Sequence, residues 1–186
     1  MNEAHKHCGS DEWRAQMRDV ILPWALGEVD LGDDVLEVGP GYGATTDVLS
    51  GSVPLLTSVE IDTELAAMLT ERFAGAPNVQ IVLGDATTLD EPDGRFSGAA
   101  CFTMLHHVPT VELQDKLFAE VARVLRPGAP MVASDSLASE RLRTHHEGDT
   151  YNPVDPETLP ARLRAAGFTQ AEVRTNEYGW TFLART

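Results

Sequence analysis

The chain has 186 residues, a formal net charge of −15 and two cysteines. This length is typical of a single domain, no stretch approaches the roughly 18 consecutive apolar residues of a membrane helix, and two cysteines do not make a disulfide framework. Only 14 Lys and Arg face 29 Asp and Glu, so no basic run is available to neutralise phosphates, which disfavours a nucleic-acid partner. The amino terminus is polar and unlike a secretory signal, so we expect a cytoplasmic protein.

An amphipathic helix is predicted near the amino terminus. Its apolar residues recur at helical spacing on one face, and Ser10 or Asp11 is expected to cap it. The residues of this face are Trp13, Met17, Val20, Ile21 and Trp24. We interpret residues 1–34 as an N-terminal lid or cap segment that covers a cofactor site on the rest of the chain.

Strands and helices alternate through the middle of the chain. The predicted strands are 35–38, 55–61, 79–83, 96–105 and 130–134. The predicted helices are 45–49, 65–73 and 111–125, and the polar segment 87–95 is expected to be a loop or a short helix. Such alternation predicts βαβ units and a mostly parallel sheet.

The final third is organised differently. A polar stretch leads to a helix that Asp155 and Pro156 are expected to begin, as its cap and its first helical residue. Two short β-type runs follow at 171–175 and 180–185. Because a parallel crossover needs a dozen or more residues, the sheet is predicted to end in an antiparallel hairpin.

The segment after the first strand carries the strongest functional signal. Gly39, Gly41 and Gly43 are spaced two apart directly after an apolar strand, and glycine lets a ligand approach the backbone where a Cβ would collide. Open α/β sheets bind their ligands at this end of the strands. By itself the loop is a generic nucleotide cradle, since Gly39, Gly41 and Ala44 also satisfy the dinucleotide-binding pattern.

Three acidic residues near successive strand ends narrow the choice of ligand. Glu37 precedes the glycine loop, where its carboxylate can meet an ammonium group or act through water. Glu60 ends the second strand, where it can accept hydrogen bonds from ribose hydroxyls. Asp85 follows the third strand, where it can form hydrogen bonds with the edge of an adenine base. Together these acids predict a pocket for an adenosine with a cationic amino-acid tail and no pyrophosphate.

With these motifs in this order, the chain resembles the class I S-adenosylmethionine-dependent methyltransferases, in the small-molecule branch that includes the ubiquinone/menaquinone-type enzymes. The resemblance extends over roughly residues 35–136. The segments that carry it are 37–43, 58–62, 84–86, 101–109 and 117–134. It implies an α/β fold, a Rossmann-like three-layer α/β/α sandwich over residues 35–186, whose seven-stranded, mostly parallel sheet ends in the antiparallel hairpin.

The resemblance also implies S-adenosylmethionine as the methyl donor. The residues that it assigns to the donor are those of the glycine loop and of the three following strand ends. They are Glu37, Gly39, Gly41, Gly43, Glu60, Ile61, Asp85, Ala86 and Thr103.

The methyl acceptor is expected to be a small molecule. Family members that methylate amino groups carry an Asn/Asp-Pro-Pro-Tyr signature in the fourth motif, and the corresponding segment here reads Phe102-Thr103-Met104-Leu105. This departure favours an oxygen or carbon nucleophile over nitrogen. A monomer or a homodimer is expected.

Three histidines are the candidates for acting on the acceptor. His106 and His107 follow the fourth strand, and His146 lies after the fifth, on the same side of the sheet. One of them is a general base or positions the acceptor, since histidine titrates near neutral pH. The alternative is that the His106–His107 pair shapes the cofactor pocket and that His146 belongs to a solvated loop.

No metal site is predicted from the sequence. His5, His7 and Cys8 lie close together near the amino terminus, but they lack the second, matched pair of ligands that structural zinc sites show.

Two other functions remain as alternatives. An NAD(P)-dependent oxidoreductase would suit the glycine loop, although nothing resembles a hydride-transfer Tyr-x-x-x-Lys pair and the chain has only the lysines Lys6 and Lys116. A non-catalytic S-adenosylmethionine-binding module would keep the donor motifs without the reaction.

Overall fold

The computed structural model describes residues 3–186, so Met1 and Asn2 of the predicted N-terminal segment lie outside the described residues. Seven strands form one sheet in the order β3-β2-β1-β4-β5-β7-β6. The strands are β1 Asp34–Val38, β2 Leu55–Glu60, β3 Val79–Leu83, β4 Gly98–Phe102, β5 Pro130–Ser136, β6 Gln170–Thr175 and β7 Gly179–Arg185. The first five pair in parallel, and β7 runs antiparallel to both β5 and β6. The predicted fold class and terminal hairpin are confirmed.

The order of the strands determines where a ligand binds. From β1 the chain moves outward through β2 to β3, then returns to place β4 on the other side of β1. A crevice opens at such a reversal because the connections leave β1 and β4 in opposite directions. The glycine loop follows β1 at this edge.

Helices cover both faces of the sheet. One face carries α1 Asp11–Gln16, a π-helical turn Met17–Ile21, α2 Leu22–Leu26 and α3 Ala44–Leu49, and α4 Thr63–Arg72 packs beside α3. The opposite face carries α5 Val111–Val124 and α7 Leu159–Ala165. Two 3₁₀-helices, Glu3–Gly9 and Leu105–His107, and the short helix α6 Glu140–His145 complete the described elements.

The N-terminal helix is one continuous helix, as predicted, with a π-helical turn at its centre. The N–H of Leu22 donates to the carbonyl of Met17, five residues earlier. The widening lies directly before Pro23, which has no N–H and whose ring clashes with a carbonyl four residues earlier in a regular helix. The π turn coincides with Met17, which is 1% exposed against the sheet.

Two predicted boundaries are wrong. The fourth strand, expected to run over 96–105, ends at Phe102, because Thr103 adopts a positive φ of 52° that no strand continues. The helix expected to begin at Asp155 and Pro156 begins at Leu159, while the carboxylate of Asp155 accepts the N–H of Glu157 in a local turn. The polar segment between β5 and α7 also contains α6.

No helix in the described part of the chain combines the length and the apolar character that crossing a bilayer requires.

The close packing of β4 against the N-terminal segment predicts that Gly98→Ala is destabilising. A Cβ at Gly98 would lie 2.4 Å from the carbonyl oxygen of Leu31, and backbone atoms cannot move aside as a flexible side chain can. We expect the free energy of unfolding to fall by about 2–3 kcal/mol, measured by urea denaturation. Gly75→Ala is the matched control: a Cβ there meets nothing within 4 Å, and a change within about 0.5 kcal/mol is expected. Equal losses in both variants would contradict the packing argument.

Candidate active site

The glycine loop is held in a left-handed backbone conformation. Gly39, Gly41 and Gly43 have φ values of 66°, 56° and 79°. A Cβ on Gly39 would lie 2.2 Å from the side chain of Met104, whereas one on Gly41 would meet nothing within 4 Å. Gly41 therefore leaves space above the loop, and Gly43 directly precedes α3.

The carboxylate of Glu60 holds this loop against the end of β2. One carboxylate oxygen accepts the N–H of Gly41 and the other accepts the N–H of Asp62, both at 2.9 Å. Glu60 is 5% exposed. A single buried side chain thus connects the loop after β1 to the turn after β2.

Glu37 lies beneath the loop rather than in the open pocket. It is 1% exposed, and one of its oxygens accepts the hydroxyls of Thr46 and Ser58 at 2.8 and 2.6 Å. Its other oxygen is buried and has no hydrogen-bond partner among the described residues. Burial raises the pKa of Glu37 to about 7, because desolvation outweighs the two hydroxyl hydrogen bonds.

Two cavities adjoin the loop and share part of their walls. The first has a volume of about 240 Å³ and the second about 210 Å³. Residues of both walls are Gly39, Glu60, Ile61, Met104 and His107. An elongated ligand can therefore extend from one cavity to the other past Glu60.

The first cavity brings together the residues predicted to bind adenine. Ile61, Asp85 and Ala86 line this cavity together with apolar residues of the segment 108–117. Asp85 accepts the N–H of Thr87 at 2.8 Å, which fixes the turn after β3.

The second cavity is lined by Thr103 and by residues of the N-terminal segment. Thr103 is the one described residue other than glycine with a positive φ, a strained conformation that is often found at binding sites. Tyr42 of the glycine loop faces the same cavity. Trp13 and Met17 of the N-terminal helix also contact it, so the predicted lid segment contributes part of the wall.

The three predicted catalytic histidines lie together, but their environments differ. His107 lines both cavities. The Nδ1 of His106 lies 2.8 and 2.9 Å from the two carboxylate oxygens of Asp135, which also accepts the backbone N–H of His106. The Nδ1 of His146 donates to the carbonyl of Leu142 at 2.7 Å, and His146 is buried rather than part of a solvated loop.

Burial disfavours the charged form of two of these imidazoles, those of His107 and His146. It lowers the pKa of His107 to about 3, with a further contribution from the charge of His106, and it lowers the pKa of His146. His107 is therefore a weak base. The ring of His106 is instead oriented through Nδ1 by the buried carboxylate of Asp135, which leaves Nε2 as its other ring nitrogen.

Two residues of the site escaped the sequence-based predictions. Asp135 lies near the end of β5, so the strand-end rule that identified Glu60 and Asp85 applied to it as well. In the sequence His5 has only His7 and Cys8 as neighbouring metal-ligand types, yet its ring lies 4.8 Å from those of both His107 and His146. No local pattern relates residue 5 to residues 107 and 146.

Known proteins with this architecture include a SAM-dependent methyltransferase from Aquifex aeolicus, with a TM-score of 0.71, 18% identity and coverage of 95% of this chain and 98% of that one. The chain also matches the family described as "Methyltransferase domain" over residues 36–133, just over half of its length. The chain belongs to the class I S-adenosylmethionine-dependent methyltransferases. The matched region runs from β1 into β5 and includes the glycine loop, Glu60 and Asp85.

A second structure similar to this methyltransferase is a Haemonchus contortus phosphoethanolamine N-methyltransferase 2 in complex with phosphomonomethylethanolamine and S-adenosylhomocysteine. It has a TM-score of 0.75 and 16% identity, and the match covers 98% of this chain and 56% of that one. At these identities the two structures establish the shared fold.

Among curated proteins, the methyltransferase is similar to the ribosomal RNA small subunit methyltransferase A of Moorella thermoacetica. The two are 49% identical over 63 residues, which is 34% of this chain and 22% of that protein. The chain spans between 22% and 35% of the length of the curated relatives that it matches.

For this methyltransferase, the predicted enzyme family and its cofactor S-adenosylmethionine are confirmed. The ubiquinone/menaquinone-type branch stays a prediction, as do the individual donor and acceptor residues.

The raised pKa of Glu37 predicts a specific dependence of stability on pH. A carboxyl with a pKa of 4.5 when unfolded and about 7 when folded binds more protons in the folded state between these values, so stability is lost as the pH rises through this window. Glu37→Gln removes that loss. At each pH the free energy of unfolding of the wild type is subtracted from that of the variant. We expect this difference to be about 2–3 kcal/mol larger at pH 8 than at pH 5.

This prediction is checked by urea denaturation of both proteins at the two pH values, without donor. Other titrating groups are common to both proteins and cancel in the comparison. Parallel stability curves would show that Glu37 has an ordinary pKa in the folded protein.

Proposed function

We propose that this protein transfers the methyl group of S-adenosylmethionine to a small-molecule acceptor, with oxygen or carbon favoured over nitrogen as the nucleophile. The observation that carries the proposal is the pair of cavities that meet at Glu60 and Gly39. One cavity suits an adenine base. The other extends towards a buried group of histidines.

The donor is placed by matching its parts to these walls. The adenine lies in the first cavity beside Ile61, Asp85 and Ala86, and the ribose lies at Glu60. The methionine tail then crosses Gly41, where the loop leaves open space. Glu37 acts from beneath the loop, since its second carboxylate oxygen has no partner among the described residues and can attract the donor's ammonium group through water.

The surroundings of the methyl group suit its transfer. Because the sulfonium charge disperses as the methyl group moves, a dry site and in-line positioning supply most of the acceleration. Met104, Thr103 and the N-terminal residues Trp13 and Met17 line the second cavity. We infer that residues 1–34 act as a lid that keeps water from this end of the donor.

Proton removal from the acceptor is assigned to His106. Asp135 orients its ring through Nδ1, which leaves Nε2 to take a proton. His107 and His146 position the acceptor beside the donor. An acceptor that is already ionised needs no base, and the same site then serves through positioning alone.

A small molecule is favoured over RNA by the charge of the chain. Methylation of ribosomal RNA, which the names of the curated relatives suggest as a second candidate, requires cations along the phosphate backbone. This chain has a net charge of −15. Among small molecules, we retain the ring oxygens and carbons of ubiquinone/menaquinone-type acceptors, because the walls of the second cavity include the apolar side chains of Trp13, Met17 and Phe102.

The role of Asp85 in holding the donor predicts the effect of Asp85→Ala. We expect the Kd for S-adenosylhomocysteine to rise by about tenfold, because the variant loses a charge-assisted hydrogen bond to the ligand of about 1.5 kcal/mol or more, while the thermal midpoint without ligand changes little since Asp85 is exposed. Isothermal titration calorimetry measures the affinity. Asp90→Ala removes another exposed carboxylate of the same loop and serves as the control. Unchanged affinity in Asp85→Ala would remove this residue from the site.

The donor and the acceptor class are tested in two steps. Thermal shift assays should show stabilisation by S-adenosylmethionine and S-adenosylhomocysteine and none by NAD; the reverse would favour the NAD(P)-dependent oxidoreductase. Transfer of labelled methyl groups is then measured with a panel of phenols, hydroxylated quinones, amines and ribosomal RNA. Label on a phenol or quinone supports the proposal, and label on RNA overturns the acceptor class. Donor binding with no transfer to any acceptor favours the non-catalytic binding module.

A further inference from the structure

The acceptor side of the site is built around histidines from three distant parts of the chain. His5 comes from the N-terminal 3₁₀-helix, His107 from the 3₁₀-helix after β4, and His146 directly follows α6. His5 and His146 are 3% and 4% exposed. We propose that His5, His107 and His146 together bind one divalent transition-metal ion, contrary to the expectation from the sequence alone.

The three rings are arranged so that one ion can reach a nitrogen of each. One ring nitrogen of each histidine lies within 4.8 Å of the corresponding nitrogens of the other two. The rings meet at interplanar angles of 51° to 68° rather than in parallel stacks. Zn–N bonds of about 2.0–2.1 Å place the nitrogens of a tetrahedral site about 3.4 Å apart, so binding draws these rings inward by roughly 1.4 Å or less.

The hydrogen bonds of the rings leave suitable nitrogens for an ion. His146 donates from Nδ1 to the carbonyl of Leu142, which places its lone pair on Nε2. That Nε2 and the Nδ1 of His107 are buried without a hydrogen-bond partner among the described residues. Buried polar atoms normally have a partner, and a metal ion supplies one to both.

The carboxylate of Asp149 lies beside His5, as carboxylates commonly do beside histidines that bind a metal. The Nδ1 of His5 lies 3.5 Å from a carboxylate oxygen of Asp149. Histidines that bind metals commonly donate their second ring nitrogen to a carboxylate or a backbone carbonyl, which orients the ring. His5 lies near a carboxylate in this way, and His146 donates to a backbone carbonyl.

The ligand set identifies the class of ion. Three imidazoles suit zinc, cobalt, nickel or copper, whereas magnesium and calcium prefer oxygen ligands. Three protein ligands and one open position are also the arrangement of catalytic rather than structural zinc sites.

The position of the site suggests what the open coordination position takes. His5 and His107 line the second cavity, next to Thr103 and Met104. An acceptor with an anionic oxygen or a thiolate can bind the ion there and be held beside the donor. This role rests on the proposed function, but the metal site itself does not.

The direct test uses cobalt(II) as the probe, with the full chain purified without a polyhistidine tag. Titration followed by visible absorption should show one cobalt ion per chain, with the intense bands of a tetrahedral site, and zinc should displace it. His107→Gln and His146→Gln should each weaken cobalt binding about 100-fold or more. Asp149→Asn should weaken it about 10- to 100-fold, as expected for an outer-shell residue.

Neighbouring histidines provide matched controls. His7 lies on the same 3₁₀-helix as His5, and His145 is adjacent to His146, yet neither belongs to the three-histidine set. His7→Gln and His145→Gln should bind cobalt as the wild type does. Equal losses in these controls, or full binding by His107→Gln and His146→Gln, would overturn the proposal. Failure of the wild type to bind one equivalent would leave the histidines as packing residues only.

Circular dichroism shows whether each variant is folded, and binding of S-adenosylhomocysteine, measured separately, distinguishes the two hypotheses. If the wild type binds cobalt but no S-adenosylhomocysteine, the metal site stands and the proposed function fails. If a variant at residue 107 or 146 does not fold, His5→Gln decides the question, because His5 precedes every strand of the sheet.

Discussion

The site depends on one buried carboxylate that connects two strands of the sheet. Glu60 closes β2 and accepts the N–H groups of Gly41 and Asp62, so the glycine loop cannot move independently of the neighbouring strand. The two cavities meet at this side chain. Because the loop has left-handed backbone angles that only glycine adopts readily, the carboxylate and the three glycines form one structural unit.

Much of the fold follows from periodicity and from the lengths of the connections. The hairpin at the end of the sheet was predictable because four residues cannot cross between parallel strands. The end of β4 was not predictable, because the sequence from Phe102 to Leu105 is typical of a continuous strand. Only the positive φ of Thr103 interrupts it. The start of α7 was missed for a similar reason: Asp155 and Pro156 suit a helix start but form the turn before it.

The proposed donor half of the site was more predictable than the proposed acceptor half. Glu37, Glu60 and Asp85 each follow from a local rule about strand ends, and the sheet brings those ends together. The histidine cluster follows from no such rule, because residues 5, 107 and 146 meet only through the packing of the N-terminal segment and α6 over the sheet. The proposed acceptor side is therefore formed by tertiary contacts that no single segment encodes.

In the proposed donor placement, the raised pKa of Glu37 couples donor binding to the proton concentration. Because burial raises the pKa of this carboxyl to about 7, Glu37 gains and loses its proton near neutral pH. A cationic ligand above the loop favours the ionised form, so its arrival expels part of a proton into the buffer. S-adenosylmethionine carries a sulfonium charge that S-adenosylhomocysteine lacks. In the proposed donor placement, substrate and product therefore differ in the number of protons that they displace from Glu37.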